Sequence, residues 1–200
     1  MELFEFDNEI RQDFSYFCGV DEAGRGPLAG DVYAAAVVFD EGVVIEGIND
    51  SKKLSEKKRE LLFDEIIEKA RDYCIATASI DEIEQINILN AAMLAMKRAI
   101  EGLKELPQLA LIDGNKSPLV ACETKTVVKG DATSQSIAAA SILAKVARDR
   151  YMKQIDEELP EYQFSKHKGY GTKLHYEMLE EHGISPVHRR SFLKKITGEV

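Results

Sequence analysis

Apolar positions fall in strand-length runs over the first fifty residues and then at helical spacing between further short runs, which predicts strands first and alternating helices and strands afterwards. Residues 16–21, 32–39 and 43–48 read as three strands joined by glycine-containing turns, an antiparallel meander. Ser55 stands where an N-cap belongs, and Leu62, Phe63, Ile66, Ile67 and Ala70 recur on one helical face as far as Arg71. Residues 73–80 form a fourth predicted strand. Leu89, Met93, Met96 and Ile100 mark a second amphipathic helix, closed by Gly102 and Pro107. Short apolar segments at 109–112 and 125–128 run into Asp113-Gly114-Asn115 and Lys129-Gly130-Asp131. Ser134 or Ser136 opens a long helix to Glu158, whose first half, Ile137 to Ala144, is small and apolar nearly all round, as a helix pressed onto a sheet requires. Residues 172–182 make a last helix, closed by Gly183 and Pro186. The predicted fold is α/β, a mixed β-sheet flanked by helices, with a small helical C-terminal region from residue 160 onward.

Length and composition keep this within one domain, residues 1–200, with the C-terminal region packed on it: 44% of residues are hydrophobic and 30% charged, the balance of a soluble globular protein. No apolar run reaches membrane-spanning length, and residues 1–14 are acidic where a leader would be basic and then apolar, so a cytoplasmic location without a membrane partner is expected. Cys18, Cys74 and Cys122 are widely spaced and odd in number, which suits buried thiols and neither a disulfide framework nor a zinc ribbon. The net charge of −9 argues at first against a nucleic-acid partner. Its distribution removes the objection, because residues 166–200 carry seven Lys or Arg against four Glu, along with all four histidines.

Chemistry concentrates in Gly19-Val20-Asp21-Glu22-Ala23-Gly24-Arg25-Gly26-Pro27-Leu28-Ala29-Gly30, where two adjacent carboxylates end a strand and a glycine-rich turn follows. Successive strand residues face opposite sides, so Asp21 and Glu22 can serve one site only if the strand ends or bends between them, a bend that Gly24 and Gly26 permit. Asp113 and Asp131 stand at similar positions, where an apolar segment meets a turn. Gathered at one end of a sheet, four carboxylates would repel and raise one another's pKa, and their natural counter-ion is a hard divalent cation. No His-x-x-x-His or paired-cysteine spacing points to zinc. Such a cluster holding two Mg2+ or Mn2+ ions suits in-line phosphodiester hydrolysis. A phosphate-loop reading of the glycine run fails for want of a Gly-Lys-Ser/Thr ending, and a hybrid-binding module would not need four carboxylates.

Eight segments, in order, resemble the ribonuclease HII family: GVDEAGRGPLAG, NDSKKLSEKKRE, NILNAAMLAMKRAI, LIDGN, VVKGD, SIAAASILAKVARDR, HKGYGT and HRRSF. One departure is Asp31, where the family commonly has proline. The resemblance implies an RNase H-like fold and catalytic, metal-binding roles for Asp21, Glu22, Asp113 and Asp131 with Mn2+ or Mg2+, two ions with substrate bound. It implies cleavage of RNA paired with DNA and of duplex DNA 5′ of an embedded ribonucleotide, leaving 5′-phosphate and 3′-hydroxyl ends. Gly24, Arg25 and Gly26 are candidate readers of the 2′-hydroxyl, which tells RNA from DNA, and the resemblance gives Tyr170 the same duty beside a sugar. Lys52, Lys53, Lys145, Arg148 and Lys168 are candidate phosphate contacts. Lys57, Lys58 and Arg59 are expected on a solvated helix face, and His167 and His188 in hydrogen-bonding or surface roles. The sister ribonuclease HIII carries an extra N-terminal domain, so only fifteen residues before the first strand favour type HII. Residues 195–200 resemble no sliding-clamp peptide, so such a partner is unsupported; a monomer with no evident protein partner is expected.

Overall fold

The computed structural model describes residues 3–194. Its sheet is built around β1 (Phe17–Ala23), which pairs antiparallel with β2 (Val32–Val38) on one side and parallel with β4 (Leu109–Asp113) on the other. β3 (Asp72–Ala78) adds antiparallel to β2, and β5 (Glu123–Val127) adds parallel to β4, giving the order β3-β2-β1-β4-β5. Alternation sorts the core. Ala34, Ala36 and Val38 face α3 (Ile80–Glu101), while Ala35 and Val37 face α4 (Gln135–Glu158) and α2 (Glu56–Lys69). The alanine-rich start of α4 lets it lie directly on β1, so closely that a Cβ on Gly19 would come within 2.1 Å of the Ser136 carbonyl carbon. A side chain there would push helix and sheet apart, a distortion costing about 1–3 kcal/mol or more.

Three expectations need correction. Residues 43–48 are not a strand: Ile45 and Ile48 are buried under α2 and α4, and the backbone finds its partners on one side chain. Ile45 N–H donates to Gln135 Oε1 and Val43 C=O accepts from Gln135 Nε2, both at 2.9 Å, so the segment needs no ladder, and β3 completes the meander instead. The helix expected from Leu89 begins at Ile80, under a Ser79–Glu82 capping box, and is broken at Asn87, which holds φ 66° and ψ 164°. There the Asn87 side chain caps Leu89 and Asn90 N–H, so the predicted helix is the second of two joined segments. Lastly, α1 (Leu3–Arg11) has no counterpart in the pattern read from the chain; Asp7 anchors it by accepting from Ser134 Oγ, Ser136 Oγ and Ser136 N–H.

The C-terminal region, with α5 (Phe164–His167) and α6 (Lys173–His182), packs against the end of α4 and the glycine-rich turn. Its core joins Met152, Ile155, Tyr162, Phe164, Leu179 and Leu193 to Leu28 and Ala29 of the glycine-rich turn. Among the described residues no helix is long and apolar enough to cross a membrane.

Candidate active site

The parallel pairing of β1 and β4 places the first two carboxylates. Val20 is opposite Ile112, so one residue further Asp21, near the end of β1, stands level with Asp113, the last residue of β4, and on the same face. β1 runs unbroken to Ala23, so the strand neither ends nor bends between Asp21 and Glu22, and the two point to opposite faces near its end. Asp21 turns toward α4, where the Ser141 hydroxyl, itself 2.7 Å from Ser51 Oγ, favours its charged form; Glu22 turns the other way, 3.2 Å from Arg25 Nη1. One pocket wraps this strand end and is lined by both, together with Gly24, Arg25, Gly26, Lys52, Lys145 and Tyr170. An adjoining depression adds Asp113, beside Glu22, Arg25 and Asn115.

Asp113 is held from the next segment, its Oδ1 accepting from Gly130 N–H at 2.7 Å, and this brings Asp131 close enough for the two charges to interact. Burial pushes the Asp21 carboxyl well above the usual carboxylate range, and the charges of Glu22 and Asp113 add to it. Asp131 is raised too, by burial and then by Asp113 and Asp50. Burial works to lower the Lys52 ammonium, yet the surrounding Asp21, Asp131, Asp50 and Asp113 carboxylates outweigh it and hold its pKa up. Among the described residues, no three His, Cys, Asp or Glu side chains converge into a ready-made metal cage. The donor set nonetheless suits a hard cation: all oxygen, carrying more negative charge than Lys52 and Arg25 offset, with the buried histidines elsewhere.

The other expected contacts divide. Tyr170 is exposed at the pocket rim, with Lys145 Nζ 5.7 Å from its ring centre. Lys145 is also paired with Asp149 at 2.6 Å. Lys53 stands outside, 4.0 Å from Asp50, and Lys168 points its ammonium back at the Ser165 carbonyl. Arg148 is no surface cation: it is fully buried, donating to the carbonyls of Ala29, Asp31 and Lys168 at 2.9–3.1 Å. Arg59 also departs from the solvated face of Lys57 and Lys58, turning in to the Ser51 and Leu54 carbonyls and to Asp149. His167, His175 and His188 are interior hydrogen-bonding groups. His175 Nε2 lies 3.0 Å from His188 Nε2, its ring stacks on His167 at 4.2 Å, and its Nδ1 meets the Tyr170 carbonyl. Burial holds His175 and His188 down to about 4, hence neutral.

Sequence reasoning missed Ser51, Ser141, Ile88 and Phe192 in the pocket, and Arg189 beneath it. Ser141 had a signal, a lone hydroxyl in an otherwise apolar helix face; Ile88 and Phe192 had none, since an apolar residue reads as core. Glycine at 24 also acquires a new reason. Its φ is +99°, and a Cβ there would sit 2.2 Å from Arg148 Nε, whereas at Gly26 the nearest atom is a Tyr170 ring carbon at 3.9 Å. Position 24 is crowded by the protein itself, and position 26 opens on the pocket.

Residues 18–195 match the Ribonuclease HII family. Ribonuclease HII 1 of Methylibium petroleiphilum is 60% identical over 87% of this chain and 88% of its own. Ribonuclease HII of Caldicellulosiruptor bescii is 53% identical over 96% and 94%. Among solved structures, the ribonuclease H2 of Pyrococcus horikoshii superposes with a TM-score of 0.74 at 26% identity, covering 92% of this chain and 99% of that one. An Archaeoglobus fulgidus RNase HII, solved in complex with PCNA, gives 0.69 at 27%, over 87% and 93%. Bst-RNase HIII, solved with Mn2+, shares the fold at 0.66 and 17%, over 84% and 63%.

Proposed function

The chain belongs to the ribonuclease HII family, hydrolases that cut the RNA strand of RNA/DNA hybrids, and from that premise we propose that it also cuts duplex DNA 5′ of an embedded ribonucleotide, leaving 5′-phosphate and 3′-hydroxyl ends. The observation that carries this is the meeting, in one pocket, of the carboxylate-bearing end of β1 with the Gly24–Gly26 turn and Tyr170. Asp21, Glu22, Asp113 and Asp131 are the groups to hold two divalent ions, Mg2+ or Mn2+. When bound, those ions supply an activated water and stabilise the leaving oxygen.

The chain's own residues do the rest. The Glu22 N–H, donating to Asp21, and the Gly130 N–H, donating to Asp113, keep these carboxylates oriented before substrate arrives. Lys52 and Lys145 bring positive charge to the same pocket for the phosphate backbone. Tyr170 offers a flat ring at the rim, steadied by the His175 contact to its carbonyl, for the sugar beside the scissile bond. The turn approaches the same sugar through a position, 26, that leaves room for it. A pure hybrid binder is not favoured, because buried carboxylates cost affinity for phosphate.

The test is a DNA duplex containing one ribonucleotide, incubated with Mg2+, with Mn2+ and with EDTA. A single cut 5′ of the ribonucleotide, with a 3′-hydroxyl end and only in the presence of metal, is expected. An intact duplex in both metals, or a cut on the 3′ side, overturns the reading.

A further inference from the structure

The glycine-rich turn has nearly all its carbonyls pulled inward by two buried arginines. Arg189, fully buried, donates to the carbonyls of Gly24 (2.7 Å), Arg25 (3.2 Å), Pro27 (2.8 Å) and Gly30 (2.8 and 2.6 Å). Arg148 takes those of Ala29 and Asp31, and the Arg189 backbone N–H takes that of Leu28. No carboxylate accepts from either guanidinium in these contacts; even Asp31 directs its Oδ1 to Ile80 N–H. Burying a cation against peptide carbonyls alone is a costly way to hold a loop. The reward lies in peptide geometry. In a trans peptide the C=O of one residue and the N–H of the next point in opposite directions, and no peptide bond among the described residues is cis. Fixing the Gly24 and Arg25 carbonyls inward therefore turns the N–H groups of Arg25 and Gly26 outward, toward the pocket those residues line with Asp21, Glu22 and Tyr170.

We propose that Arg189 is a positioning residue for substrate recognition: its guanidinium locks the turn so that two successive N–H groups, at Arg25 and Gly26, are presented as a preformed donor pair to the 2′-oxygen of the ribonucleotide at the scissile junction. The inference rests on the functional reading above and adds to it the device that aims the donors. Preorganised donors raise the rate because no loop ordering is needed when the sugar arrives. Only a fork of five donors spans four carbonyls, so lysine cannot substitute although it keeps the charge.

The experiment compares wild type, Arg189→Lys and Arg189→Ala on the single-ribonucleotide duplex. Arg189→Lys is expected to lower kcat about 30-fold with KM changed less than about threefold, and to retain the wild-type Mn2+-induced rise in Tm. Guanidinium ion added to Arg189→Ala is expected to restore part of kcat, while methylammonium restores none. Wild-type kcat in Arg189→Lys overturns the proposal, as does a loss that merely follows the unfolded fraction measured by circular dichroism at the assay temperature. Absence of guanidinium rescue in a folded Arg189→Ala also overturns it, and if that variant does not fold, Arg189→Lys alone decides. A wild-type protein that leaves the duplex uncut overturns the functional reading itself, so the two failures are distinguishable.

Discussion

The carboxylate end of the sheet and the arginine–histidine layer beneath the glycine-rich turn lie side by side yet are built on opposite terms. In the first, Asp21, Glu22, Asp113 and Asp131 crowd like charges together, and burial holds Asp21 and Asp131 reluctant to ionise. In the second, Arg148, Arg189, His167, His175 and His188 are all buried and each has hydrogen-bond partners, most of them backbone carbonyls. One region stores unfavourable electrostatics that a bound cation would relieve; the other locks a loop. A substitution should therefore separate activity from stability in the first and lower both together in the second.

The largest effect is expected at the carboxylates. Asp21→Asn should lower cleavage by about 10³-fold or more while Tm stays level or rises, since a buried like charge is removed along with a proposed metal ligand. Near wild-type turnover at saturating metal would sink the assignment.

Next in size is Tyr170→Ala. About a tenfold or greater loss of kcat/KM is expected on a single-ribonucleotide duplex, where one junction carries all the recognition, and a smaller loss on a continuous hybrid assayed in the same salt and metal. Equal small losses on both substrates would remove Tyr170 from recognition. Gly24→Val should belong to the arginine layer, losing Tm as well as activity, because its side chain meets Arg148 before any substrate.

Metal should stabilise the first region alone. Mn2+ or Mg2+ at about a hundredfold its Kd adds about 2.7 kcal/mol and raises Tm by several degrees, and the gain should vanish in Asp21→Asn/Asp113→Asn. An undiminished shift in that double variant would move the metal elsewhere.

The subtlest test is pH, because the two regions carry opposite signs. His175 and His188 fall from 6.5 unfolded to about 4 folded, so between those values the unfolded chain binds more protons and stability is lost on acidification. Asp21 and Asp131 are raised, so above 3.8 the folded chain binds more protons and their burden on stability eases as pH falls. Tm measured from pH 7 to 4.5 should fall less steeply in His188→Gln than in wild type, and more steeply in Asp21→Asn. Parallel profiles in all three would break the contrast.

Much of this was legible in the chain itself. The order and type of most elements followed from hydrophobic period, and the carboxylates could be named because each stands where an apolar segment meets a turn, a local pattern that needs no partner to be seen. Cap residues likewise announced α2 and α4: Ser55 accepts from an N–H three residues on, and of the two serines offered for α4 it is Ser134 that does the same.

What tertiary structure alone decided was where each side chain finds its partner. Val43 to Ile48 looks like a strand until Gln135, some ninety residues away, takes its backbone hydrogen bonds. Arg148 and Arg189 look like surface cations, because a guanidinium and its solvation are the same in any sequence; only the long-range return of the C-terminal region to residues 24–31 buries them. The sharing of one site by Asp21 and Glu22 was decided the same way, by a pocket that wraps the strand end. Periodicity and capping are local and can be read along the chain, whereas burial of a polar group depends on contacts between distant segments, which only the folded packing brings together.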